Sequence, residues 1–96
     1  MTDQRIARVV KDVLYRELPG EGVALQVHFG QYYGLDPVCH RAWQLIGEMG
    51  RLDQVYNALL DEFDADPATL AADLAAFVNE LEGARLIELV TEGHRS

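Results

Sequence analysis

Apolar positions along this chain change period repeatedly, and each change predicts a change of element. From Gly22 to Phe29 the residues alternate, with Val23, Leu25, Val27 and Phe29 on one side and Ala24, Gln26 and His28 on the other. A period of two is that of a half-buried antiparallel strand, with His28 toward solvent. Phe29-Gly30-Gln31 reads as a tight turn into Tyr32-Tyr33-Gly34-Leu35, an aromatic stretch suited to a pleated surface. At Asp36-Pro37 the period becomes helical. Asp36 can accept from the open N–H groups of a first turn, and Pro37 suits the first helical position because it has no N–H to satisfy.

Val38, Ala42, Leu45, Ile46 and Met49 form the stripe of a helix from Pro37 to Met49, closed by Gly50, with Trp43 beside it. Leu52, Val55, Tyr56, Leu59 and Phe63 mark a second helix. Asp66-Pro67 opens a third, reaching about Glu82, with Leu70, Leu74, Phe77, Val78 and Leu81 inward and alanines on its flanks. Beyond Gly83, Leu86 to Val90 alternates weakly, which allows a short terminal strand.

The first eighteen residues carry two signals. Ile6, Val9, Val10, Val13 and Leu14 fall at helical spacing, yet Val9, Val10, Val13 and Tyr15 are better strand formers. Asp12 to Leu18 also fits a strand ending at Pro19-Gly20-Glu21-Gly22, and is taken as one. The predicted organisation is an arm over 1–11, a domain over 12–90 and a polar tail over 91–96 that should fray.

A chain of 96 residues bounds this to one domain, and 49% hydrophobic with 25% charged residues is an ordinary globular balance. No apolar run reaches the roughly 20 residues that span a bilayer, and the first residues hold no apolar signal region, so a cytoplasmic chain without membrane contact is expected. Cys39 is the sole cysteine, which rules out an intramolecular disulfide and a cysteine-based metal cage. His28 has no second ligand at a useful spacing, so no metal is expected.

The formal net charge is −8. Asp53, Asp61, Glu62, Asp64, Asp66, Asp73, Glu80 and Glu82 occur between Leu52 and Glu82 with no cation among them. Such a field repels nucleic acid. It is either a solvated surface or an attractor for a basic peptide.

No catalytic constellation is present. Cys39 and His40 are adjacent on a predicted helix and diverge by about 100°, so they do not form a nucleophile and base pair. The phosphate-cradling, dinucleotide and H-E-x-x-H patterns are missing, and neither enzyme activity nor a cofactor is expected.

Together the pattern suggests an α+β winged helix-turn-helix: a three-stranded antiparallel meander, then three helices and an optional short C-terminal strand. Within that frame Y-Y-G-L-D-P-V-C-H-R-A-W-Q-L-I, then L-D-Q-V-Y-N-A-L-L-D-E-F-D-A-D-P and A-A-D-L-A-A-F-V-N-E-L, resembles the PqqD-like family, over roughly Asp12 to Leu89. The order and spacing of these segments carry the resemblance more than any one of them. It departs before Leu86, where members usually have Gly and this chain has Arg85, with a glycine earlier at Gly83.

The resemblance implies a RiPP recognition element, a noncatalytic peptide chaperone that binds the leader of a ribosomally made precursor. The leader would add as a strand to the edge formed by Gln31, Tyr32, Tyr33, Gly34 and Leu35, against a wall around Asp73, Ala76, Phe77 and Glu80. This is strand addition, in which backbone bonds give affinity and side-chain pockets give specificity. The implied partners are the leader and a downstream leader peptidase, cyclase or other maturase, with lasso-peptide clusters favoured. The protein itself would be a monomer or a strand-exchanged dimer. The alternatives are a winged-helix DNA-binding or transcription module, which would need a basic recognition helix, and a structural subunit docking on a larger enzyme.

Overall fold

The computed structural model describes residues 4–91. Its elements are β1 (Arg5–Val9), β2 (Val13–Leu18), β3 (Glu21–Gln26), β4 (Gln31–Leu35), α1 (Pro37–Met49), α2 (Leu52–Glu62), α3 (Pro67–Gly83) and β5 (Ile87–Thr91). Strands β2, β3 and β4 form an antiparallel meander in that order, followed by the three helices, and β1 pairs antiparallel with β5 in a separate ribbon. Residues 1–3 and 92–96, which include most of the predicted polar tail, lie outside the described residues.

The helices start where local chemistry places them. Asp36 accepts from the Cys39 amide at 2.8 Å, and Asp66 accepts from the Thr69 amide at 3.0 Å, each just before a proline. Gly50 closes α1 with φ 78, a conformation that favours glycine. The core gathers Leu45, Ile46, Leu52, Val55, Leu59, Leu74, Val78, Leu81 and Leu86, all essentially buried. Val38 and Met49, expected in the α1 stripe, are 41% and 42% exposed, and Trp43 is buried in their place.

The helical spacing of Ile6 to Leu14 is not used. Ile6 and Val9 belong to β1, Val13 and Leu14 to β2, and Val10 to the connection between them, so the stretch set apart as an arm supplies a strand whose partner is at the other end of the chain. Ile6 also bridges to Arg51, and the Ala7 amide donates to the Gly50 carbonyl at 2.8 Å, so β1 is held from both sides. Side chains that would have formed a helix face instead gain cross-strand neighbours, such as Val9 opposite Ile87.

The alternation from Gly22 is realised with the opposite face inward. Gly22, Ala24 and Gln26 are buried, whereas Val23 and Leu25 are only half-buried, and Val27 to Gly30 form a turn. Ala24 lies between Tyr15 and Tyr33 in the register, so a small residue leaves space for two rings. Tyr15 stacks on Trp43 with ring centroids 5.0 Å apart and shares a 2.6 Å hydrogen bond with His40. A Cβ at Gly22 would sit 1.8 Å from the Tyr15 hydroxyl oxygen, so glycine is needed there. The Gln26 amide donates to the Arg85 carbonyl at 2.7 Å, which explains how a polar residue is buried.

The α3 terminus resolves the departure before Leu86. Arg85 itself takes the left-handed conformation, φ 63, and the Leu86 amide returns to the Leu81 carbonyl at 2.9 Å. Its guanidinium lies 4.9 Å from the centre of the Phe29 ring.

Candidate functional site

Strand β4 is the outer strand of the meander, with β3 on one side and no described strand on the other. Its side chains alternate: Tyr33 and Leu35 turn inward, Tyr32 and Gly34 outward. The hydrogen-bonding parity follows from the hairpin. The Val27 amide donates to the Asp12 carbonyl at 2.9 Å, in register with the Leu14–Leu25, Arg16–Val23 and Leu18–Glu21 pairs. The backbone groups of Gly22, Ala24 and Gln26 are thus directed at Leu35, Tyr33 and Gln31. What β4 leaves on its open side are the N–H and C=O groups of Tyr32 and Gly34.

Beside this edge runs α3. Asp73, Ala76, Phe77 and Glu80 have i, i+3, i+4, i+7 spacing and share one face. With Asp36, Val38 and Cys39 from the start of α1 they line a cavity of about 420 Å³. A second cavity of about 260 Å³ lies further along β4, between Gln31, Tyr32 and Tyr33 on one side and Ala84 and Leu86 on the other. Between the two, the Tyr33 hydroxyl donates to the Glu80 carboxylate. Burial, then the hydrogen bond to Glu80, pushes the Tyr33 phenol up to about 12.

The residues expected at the edge and the wall therefore lie together, with differences in role. Tyr32 is 74% exposed, whereas Leu35 is 3% exposed and anchors the strand in the core. Phe77 is buried and forms the apolar floor, flanked by exposed Asp73, Ala76 and Glu80. Sequence reasoning missed Asp36, Val38 and Cys39. The signal was available: only Asp36 separates the end of β4 from the start of α1, so the first turn of α1 has to sit beside the edge.

The acidic run is partly neutralised or otherwise engaged. Glu62 pairs with Arg41 at 2.7 Å, Asp53 with Arg51 at 2.7 Å, and Asp66 is spent on capping. Asp36, Asp73 and Glu80 border the cleft without a cation paired to them among the described residues. Cys39 is a poor nucleophile, because burial, then the hydrogen bond and charge of Asp36, push its thiol up to about 12. His40 is engaged with Tyr15. Among the described residues no group of side chains could hold a metal ion, and no helix is long and apolar enough to cross a membrane.

Comparison with known proteins agrees with this architecture. A solved structure described as TbiB1 in complex with the TbiA(beta) leader peptide is similar at a TM-score of 0.79 and 29% identity, covering 93% of this chain and 99% of that one. No individually curated protein matches the chain. The family model described as coenzyme PQQ synthesis protein D (PqqD) matches residues 21–87, from the start of β3 into β5 and through the whole cleft. On that match, the chain belongs to the PqqD family.

Proposed function

We propose that this protein is a noncatalytic carrier for the leader of a ribosomally synthesised precursor peptide. The leader adds as a fourth strand to β4, hydrogen-bonds to Tyr32 and Gly34, and lays alternate side chains against α3. The observation that carries this reading is the open edge of β4 beside a cleft floored by Phe77. Unpaired edges are normally blunted or covered, and one that stays open beside a cleft is suited to strand addition. The similar chain solved with a leader peptide supports the same occupant.

The bound leader leaves its core segment free for a modifying enzyme, and a lasso-type leader peptidase or cyclase is the favoured recipient. The acidic rim of Asp36, Asp73 and Glu80 suits a leader with basic residues. The same charge opposes the nucleic-acid alternative, since α3 presents Asp73, Glu80 and Glu82 and no cation. The protein works in the cytoplasm, where such precursors are made.

The test is a fluorescence titration with the labelled leader of the precursor encoded beside this gene. It is joined to amide exchange of the protein with and without peptide. Saturable binding with new protection at Tyr32 and Gly34 is expected. Binding without protection on β4 would remove the strand-addition step, and absence of binding would remove the carrier role.

A further inference from the structure

The register of β4 divides an added strand into two sets of side chains, and the cleft accounts for only one. Residues opposite Tyr33 and Leu35 point toward α3. Those opposite Tyr32 and Gly34 fall on the outer face of the sheet, because directly opposed side chains share a face. On that face Gly34 leaves a gap. A Cβ placed there meets no atom within 4 Å, and an open hollow of about 310 Å³ is lined by Glu21, Gly22, Val23, Gly34, Leu35 and Asp36.

The strand neighbours next to the glycine are apolar, with Arg16 beyond Val23 in the same row and Glu21 and Asp36 among the residues lining the hollow. Val23 is directly across the ladder from Gly34, and Leu25 is across from Tyr32. Leu14 continues that row and is 63% exposed. A strand added to β4 therefore brings one outward side chain over a glycine, against a half-buried valine and beside an exposed tyrosine. A large ring or branched chain at that position restores packing that an edge glycine lacks.

We propose that the leader is gripped on this outer face as well as in the cleft. The residue opposite Gly34 carries a large apolar or aromatic side chain that lies over the glycine against Val23. This rests on the strand-addition reading and adds to it a second specificity element of opposite parity to the cleft.

The experiment is a display selection of short random peptides on the intact protein, on Gly34→Val and on Val23→Ser. Valine is a strand former and meets open space at position 34, so the edge and its N–H are retained. The wild-type pool is expected to be enriched in large apolar residues at one outward position, with separate enrichment at its inward neighbours. Gly34→Val should abolish the outward enrichment and spare the inward one, and wild-type clones should bind it about five- to tenfold more weakly. Val23→Ser should weaken the same clones. Equal enrichment in the wild-type and Gly34→Val pools, or unchanged affinity for both variants, would overturn the outer subsite while leaving strand addition standing. No enrichment on the wild-type protein would remove strand addition as well.

Discussion

The phenol of Tyr33, on β4, donates a hydrogen bond to the carboxylate of Glu80, on α3, and so spans the cleft between its two cavities. An incoming strand whose inward side chains reach α3 meets this bond in its path. For a solvent-exposed pair the bond is worth about 0.5–1 kcal/mol, which corresponds to roughly a two- to fivefold change in affinity. Tyr33→Phe is expected to tighten leader binding by that factor, and adding Glu80→Gln should give little more. The raised phenol pKa fixes the pH window: the contribution is whole below the ordinary value of 10 and is lost as pH climbs toward about 12. A loss of affinity in Tyr33→Phe would mean that the hydroxyl contacts the leader directly.

Two neighbouring prolines should behave oppositely. Tyr32→Pro removes a donor from the open side of β4, where proline is tolerated, so the fold should persist while leader affinity falls by roughly three- to tenfold. Tyr33→Pro removes the donor opposite Ala24, which is fully buried, and an orphaned buried carbonyl costs about 1–3 kcal/mol. Its denaturation midpoint should therefore drop. If Tyr32→Pro bound leader as tightly as wild type, the assigned parity of the edge would be wrong.

What the sequence disclosed and what it hid follow from how local the determining contacts are. The starts of α1 and α3 were legible because Asp36, Pro37, Asp66 and Pro67 act within one turn. Strand β1 was not, because its partner β5 is at the far end of the chain and its own Ile6 and Val9 also fit a helix. The inner face of β3 was read backwards because hydrophobicity ranks Val23 and Leu25 above Ala24 and Gln26. Two features outside that window decided the matter: the space needed by Tyr15 and Tyr33, and the Arg85 carbonyl that satisfies Gln26. At the site, spacing on α3 identified its wall, while the contribution of Asp36, Val38 and Cys39 required knowing how closely α1 follows β4.

Acid should loosen the helical layer before it affects the meander. Hydrogen bonding to Arg41 holds Glu62 below the usual carboxylate range, hydrogen bonding to Arg51 does the same for Asp53, and the Thr69 amide does so for Asp66. A depressed folded-state pKa adds stability above the unfolded value and loses it as pH falls through that range toward the folded value. Urea midpoints measured from pH 6 down to about 3 should therefore decline. Glu62→Gln is expected to flatten part of the decline by removing one of the linked carboxylates. An identical pH profile for wild type and Glu62→Gln would show that the Arg41 pair contributes nothing measurable.

Charge at the rim can be separated from shape by salt. Asp73 is exposed on the cleft face of α3, so Asp73→Lys should leave the core unaltered while reversing the sign of one wall. A leader carrying lysine or arginine is expected to bind this variant several-fold more weakly at 0.05 M salt. The difference should shrink toward nothing near 1 M, where the screening length is about 3 Å. A neutral version of the same peptide should bind both proteins alike. The decisive comparison is the salt slope: equal slopes for the variant and the wild type would assign the cleft's affinity to backbone pairing and the apolar floor alone.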